Sequence, residues 1–174
     1  GHTLVQSLLK DADPLHKVSI IPRGPYGGAT FSLPEKDRNF YTKRYCMAEL
    51  QVCFGGRIAE ELFCDDISSG ARADIQMATS IAKEMVQEWG MSETLGPIDF
   101  SSKPQDYYMG IGGQDYSQKT AELIDAEVKK IIDKAYNLAK EIIEKNRDKL
   151  QAIADALLKY ESLDAAEVKT ILEG

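Results

Sequence analysis

The 174-residue chain has no apolar run near the ~20 residues that cross a bilayer, and no signal peptide opens it. As written it reads as a soluble piece. Basic residues are too few and too scattered to make a positive face: 21 Lys and Arg stand against 28 Asp and Glu, a net charge of -7. This excludes nucleic-acid binding and attachment to anionic lipid through basic residues, both of which need concentrated positive charge. Cysteine is scarce, with Cys46, Cys53 and Cys64 making an odd number and no C-x-x-C pair, which argues against a disulfide framework. All three lie in apolar stretches and read as reduced core residues of a cytosol-like compartment. Histidine is limited to His2 and His16, no internal repeat or low-complexity tract occurs, and the length suits one domain with an ordinary core.

What is present is mostly helical patterning. Leu4, Val5, Leu8 and Leu9 recur at helical spacing with no capping residue ahead of them, so the chain enters mid-helix. Asp11 to Pro14 ends that helix. Lys17 to Pro22 and Ala29 to Leu33 read as two short strands separated by turns at Pro22 to Pro25 and Gly27-Gly28, the second stopped by Pro34. Tyr45 to Phe63 carries Met47, Leu50, Phe54, Ile58 and Leu62 on one face, with Gly55-Gly56 marking a close approach of two backbones. Ile75 to Trp89 repeats the pattern through Ala78, Ala82 and Met85, and Gly90 stops it.

Met91 to Tyr116 has no lasting period and reads as an irregular connection. Ser117 then caps a helix of about eight turns whose stripe is Ile124, Val128, Ile131, Ala135, Leu138 and Ile142. Leu150, Ile153, Ala154, Leu157 and Leu158 mark a further helix, and Asp164-Ala-Ala-Glu167 has the form of a capping box opening a last one.

Residues that could carry chemistry each have a plain explanation. A lone histidine such as His2 is most often structural. Asp74, in the first turn of the Ile75 helix, suits the helix dipole, and Glu60-Glu61 would be a solvated face, although Glu60 lies four residues past Gly56. The Ala29 to Leu33 strand is either a covered edge or a platform for an extended peptide. Residue by residue, the sequence supports only a soluble, mainly helical domain.

Seven stretches, in order, resemble the peptidase domain of the FtsH family of membrane-anchored AAA+ metalloproteases. They are GHTLV (1–5), HKVSIIPRG (16–24), GATFSLPEKDR (28–38), FGGRIAEELF (54–63), SSGARADIQMAT (68–79), WGMSETLGP (89–97) and DYSQKTAELIDAEV (115–128). The resemblance implies a mainly α metallopeptidase domain with a small two-stranded β element and a C-terminal helical array. It divides the single domain 1–174 into a zinc-site portion (1–100), an irregular connection (101–116) and a helical portion (117–174).

The family's zinc site pairs the helical motif H-E-A-G-H with a downstream aspartate. Gly1-His2 match the motif's last two residues, which makes His2 and Asp74 the implied ligands of one Zn2+ per subunit. Glu60 is the implied support of a ligand histidine, and Ala29, Thr30, Phe31, Ser32 and Leu33 the implied substrate strand. Such a site cleaves peptide bonds by metal-activated water with a glutamate as proton shuttle. The motif's first histidine and its glutamate fall before Gly1, so residues 1–174 alone are expected to be inactive. The connection between Met109 and Tyr116 is shorter than the family's.

By the same resemblance the parent is a homo-hexamer, membrane-anchored through N-terminal segments, with this domain on the cytoplasmic or organelle-matrix side. ATP and Mg2+ belong to a separate ATPase module, because no phosphate-binding loop occurs here. Its partners would be unfolded polypeptides. The alternative reading is a non-catalytic helical oligomerisation domain.

Overall fold

The computed structural model describes residues 1–22, 27–33, 39–101 and 116–174. The expected turn at Pro22 to Pro25 lies partly outside these, as does the irregular connection over 102–115 with its shortened stretch after Met109. The stop at Pro34 lies outside them altogether. Among the described residues the fold is mainly α, with six α-helices and one small antiparallel sheet.

The order is α1 (His2–Leu8), β1 (Leu15–Ser19), β2 (Ala29–Ser32), α2 (Lys43–Ala59), α3 (Arg72–Gln87), α4 (Gln118–Lys145), α5 (Arg147–Tyr160), β3 (Ser162–Asp164) and α6 (Ala165–Glu173). A π-helical turn, Glu60–Cys64, prolongs α2, and a 3-10 turn, Ser69–Ala71, leads into α3. Helix starts follow local chemistry. The hydroxyls of Thr42 and Ser117 accept the N–H groups of Tyr45 and Thr120, and Asp164 with Glu167 forms the reciprocal capping box expected from its sequence. At the end of α3, Gly90 takes φ 58°, and the chain turns back so that the Met91 N–H reaches the Met85 carbonyl. A side chain at Gly90 would be strained there and would crowd Pro97.

One core runs through the molecule. Leu4 and Val5 of α1, Leu50, Phe54 and Ile58 of α2, Ala78 and Met85 of α3, and Ala135, Ala139 and Ile143 of α4 meet in it, and Val18, Leu163 and Val168 close it below the sheet. Burying each of its Leu, Ile, Val, Phe and Met side chains contributes roughly 1.5–3 kcal/mol of transfer free energy.

The sheet corrects the two-stranded expectation. Its order is β2-β1-β3, with Val18 opposite Thr30 on one side and Leu163 on the other, so the C-terminal region returns to pair with the N-terminal one. β1 also begins two residues earlier than its pattern suggested, and β2 ends at Ser32.

Three packing expectations change. The α4 stripe is rotated: Ile124, Ala135, Ala139 and Ile143 are buried while Leu138 is exposed, because two alanines let α2 and α4 approach. Ile75 and Trp89, at the two ends of the α3 pattern, are exposed, and Val86 is buried instead. Cys64 is exposed at the end of the π-helical segment, whereas Cys46 and Cys53 are buried, and none of the three forms a disulfide.

Candidate metal centre

The centre begins with a glycine pair. Gly55 and Gly56 stand where α2 crosses α1, and bare backbone there lets α1 sink onto α2. A Cβ on Gly55 would come 2.9 Å from the Gly1 carbonyl oxygen. One on Gly56 would lie 2.8 Å from His2 Nδ1 and closer still to Cε1. Separations under 3 Å are not tolerated by a close-packed interior, so the His2 ring occupies the space that a side chain at 56 would fill.

Opposite the ring stands Asp74, in the first turn of α3, with Oδ2 3.0 Å from His2 Nε2. Both side chains are about one-third exposed (33% and 31%), yet Nε2 itself is buried and has no hydrogen-bond partner. The atoms are close but not aligned as donor and acceptor. A buried imidazole nitrogen without a partner is costly unless something else satisfies it.

The Asp74 helix is held by a second set of contacts. The Ser68 hydroxyl donates to the Glu60 carboxylate and accepts the Gly70 N–H at 3.1 Å, while Arg57 Nη1 donates to the Ser68 carbonyl, also at 3.1 Å. Glu60 therefore anchors the turn that launches α3, and its hydrogen bonds among the described residues run to Ser68 rather than to the imidazole. Next along the π-helical turn, Glu61 accepts from the Tyr136 hydroxyl and pairs with Arg57 at 3.6 Å. Below the site lies Cys53, whose thiol is pushed up to about 12 chiefly by burial, with the Asp74 and Glu49 carboxylates adding to it. That thiol stays protonated at neutral pH.

The β-sheet stands beside the same helix. Thr3, next to His2, shares a hydrogen bond with Thr30 at 3.1 Å, and Gln6 Nε2 donates to Ser32 at 2.7 Å. Ala29 to Ser32 thus form an edge strand fixed against α1, with Phe31 and Leu33 exposed and the Leu33 N–H bonded to the Pro14 carbonyl. His16, the other imidazole, is exposed on β1.

These residues fit a zinc ion as two of its ligands. Zinc takes a neutral imidazole nitrogen and a carboxylate oxygen, and two donors about 2.1 Å from a tetrahedral metal stand about 3.4 Å apart, close to the separation seen. No cluster of three or more such donors occurs among the described residues, so the pair is a partial ligand set.

The family model for peptidase family M41 matches residues 1–171. The chain belongs to peptidase family M41. Its relatives include ATP-dependent zinc metalloprotease FtsH 1 of Sphaerobacter thermophilus, 46% identical over 176 residues that cover 99% of this chain and 27% of the relative. ATP-dependent zinc metalloprotease FtsH of Caldicellulosiruptor bescii is 42% identical, over 99% of this chain and 28% of the relative. FtsH 1 of Thermoanaerobacter sp. is 44% identical, over 100% and 29%. The M41 chain therefore spans less than a third of the curated relatives it matches.

Sequence reasoning brought forward the two residues that the fold brings together, His2 and Asp74. It missed Arg57 and Ser68, whose part is to hold the α3 entrance. The signal available for Ser68 was its place as a cap two residues before Gly70.

Proposed function

We propose that this M41 domain is the zinc-dependent endopeptidase portion of a larger ATP-dependent, membrane-anchored protease that degrades unfolded or damaged polypeptides. The observation that carries the reading is the convergence of His2 Nε2 and Asp74 Oδ2 at 3.0 Å around a nitrogen with no hydrogen-bond partner. His2 and Asp74 would hold the metal, joined by the first histidine of the family motif, whose glutamate would be the general base. Bound zinc supplies Lewis acidity and brings the pKa of a water near 7. Gly56 leaves room for the ring, and Glu60 and Arg57 fix the approach of Asp74. The β2 edge offers main-chain hydrogen bonds to an extended substrate beside the ligand helix.

The same reading gives the parent a homo-hexameric assembly with ATP and Mg2+ bound in another module. No helix among the described residues is long and apolar enough to cross a membrane.

The test is zinc content and casein cleavage by the full-length protein, its Asp74→Ala variant, and residues 1–174 alone. The full-length protein should hold about one zinc per subunit and cleave casein. Asp74→Ala and the isolated 1–174 piece should do neither, since ligand loss removes the open catalytic site. Undiminished zinc content and cleavage in Asp74→Ala would overturn the assignment, and a full-length protein without cleavage would favour a non-catalytic oligomerisation role.

A further inference from the structure

Two buried polar side chains of α1, Thr3 and Gln6, reach past the metal centre to the edge strand; they are only 4% and 5% exposed. Three residues apart, they share one face of the helix and stand about 4.5 Å apart along its axis. On β2, Thr30 and Ser32 share the face turned to the core, as their partners Val18 and Leu15 do. Thr3 Oγ1 meets Thr30 Oγ1 at 3.1 Å, and Gln6 Nε2 donates to Ser32 Oγ at 2.7 Å. The same Gln6 nitrogen also donates to the Asp13 carbonyl at 2.9 Å, and the Asp13 carboxylate accepts the Tyr45 hydroxyl of α2 at 2.8 Å. The strand is therefore tied at two points to the helix that carries His2.

The main chain of the same two strand residues faces the open edge. In an antiparallel ladder the N–H and C=O groups of successive residues point alternately to one neighbour and to the other. The Leu33 N–H bonds the Pro14 carbonyl on the β1 side, and the Ile20 N–H bonds the Glu161 carbonyl on the β3 side. Lys17 and Ser19 of β1 thus address Phe31 and Ala29, which leaves Thr30 and Ser32 to direct their N–H and C=O groups to the outer edge of β2. No strand pairs with that edge among the described residues. The residues whose backbone would receive an added strand are the ones whose side chains are latched to α1.

Buried hydroxyls and amides must find partners, and that need would account for either contact alone. It does not account for their place: both fall on the two strand residues that face the open edge, and one starts from the residue next to His2. A polypeptide added to β2 carries one carbonyl every ~3.2–3.4 Å, so a slide of the strand along α1 by half that distance would leave none opposite the metal pair. A misplacement of about 1 Å costs on the order of 100-fold in rate. We propose that Thr3 and Gln6 are positioning residues that hold β2 in one register against the ligand helix, so that a polypeptide added to the strand presents a single carbonyl to the metal. The proposal rests on the endopeptidase reading for what is done to that carbonyl, and on the two hydrogen bonds for its register.

The experiment uses the full-length protein with Thr3→Val and Gln6→Met, which keep the size of each side chain and remove its hydrogen bond, and Thr3→Ser, which keeps the hydroxyl. A quenched fluorescent peptide drawn from casein reports kcat and KM, and mass spectrometry of its products reports which bond is cut. The same peptide carrying benzoylphenylalanine is photocrosslinked to the metal-free protein and its attachment site mapped, which needs no turnover. The wild type should cut one bond and crosslink at one site. Thr3→Val and Gln6→Met should lower kcat about 10- to 100-fold and spread both cuts and crosslinks over neighbouring positions. KM should stay within about twofold, because the main-chain bonds of β2 remain, and zinc content should stay at about one per subunit. Thr3→Ser should restore the single cut. Where Gln6→Met fails to fold, Ser32→Ala removes the same bond from the exposed strand end and should spread the cut in the same way.

A single cut and a single crosslink in Thr3→Val and Gln6→Met would overturn the latch and leave the peptidase reading intact, even with kcat lowered, since a merely structural contact changes the amount of active protein and not the bond it cuts. Scattered or absent crosslinks in the wild type would overturn it too. Crosslinks at one site in the wild type that spread in the two variants, with no peptide cleaved by any of the proteins, would support the latch and remove the peptidase reading.

Discussion

On one side of α2, Gly55 and Gly56 meet α1 with no side chain between the helices, and the His2 ring fills the space left over. On the other side Phe54 meets Tyr136 of α4 edge-on, with ring centroids 5.7 Å apart at 71°, and Leu50 and Ile58 are fully buried. The two faces belong to one helix and nearly the same turn, yet they obey opposite rules. Toward α4 the apolar side chains stabilise by leaving water. Toward α1 an added atom does harm, because two donor atoms from distant segments must come within bonding distance of a common point. The proposed metal-donor pair thus lies where packing is subordinated to position, and its neighbours across the helix make up the stability.

The largest effect should come from the face that carries stability. Phe54→Ala removes a buried ring and leaves a cavity between α2 and α4, with an expected loss of about 3–5 kcal/mol, read from the urea midpoint at constant slope. Zinc affinity of the molecules still folded should change by less than about twofold, since the ring faces away from His2. A loss under about 1 kcal/mol would mean that α4 closes the gap and that the two faces are not distinct.

The glycine face should respond the other way. Gly56→Ala forces its methyl against the imidazole, and overpacking of this kind costs about 1–3 kcal/mol. Its effect on zinc should be larger in proportion, about a 10- to 100-fold weaker affinity, the range seen when the orientation of a ligand histidine is disturbed. The measurement is competition with a chromophoric chelator in a protein that carries the whole ligand motif. Wild-type zinc affinity in Gly56→Ala would show that the ring can stand elsewhere, and the comparison between the faces would fail.

The two faces also differ in how far they could be read beforehand. Gly55-Gly56 stood out because glycines inside a helix demand a reason, and Ser117 and the Asp164–Glu167 box were legible because capping is local chemistry. β3 was not legible: three residues, Ser162 to Asp164, are too few to alternate, and their partner on β1 lies about 145 positions away, a pairing set by tertiary packing. The offset α4 stripe was missed because alanines count little in an apolar pattern, although Ala135 and Ala139 are what lets α2 approach. Cys64 followed an apolar run out of the core because the helix widens to a π-turn there, rotating the last residues past the buried face. At the candidate metal centre the residue types at 2 and 74 were visible, but their juxtaposition depends on Ser68, Arg57 and Glu60 holding a turn, a network that no spacing announces.

The smallest effect tests whether the faces communicate. Tyr136, beside Phe54, reaches across the end of α2 to donate its hydroxyl to Glu61, the neighbour of Glu60 in the π-turn, so α4 is tied to the segment that holds the α3 entrance. Burial, then the hydrogen bond and charge of Glu61, push the Tyr136 phenol up to about 12, with Arg57 acting in the opposite sense. The fold thus favours the neutral hydroxyl, whereas an unfolded tyrosine ionises near pH 10. A group raised in the folded state contributes in full below its unfolded value, and the contribution disappears as pH climbs through the folded one. Tyr136→Phe should therefore cost about 1 kcal/mol at pH 7 to 9, the worth of one hydrogen bond. The gap between the two proteins should close between about pH 10 and 12, as ionisation destabilises the wild type alone. Urea unfolding of both proteins at one-unit intervals from pH 7 to 12 measures it. A constant gap across that range would show that the phenol does not titrate against Glu61. A gap that closes while zinc affinity stays level would show that α4 supports the fold without tuning the metal pair.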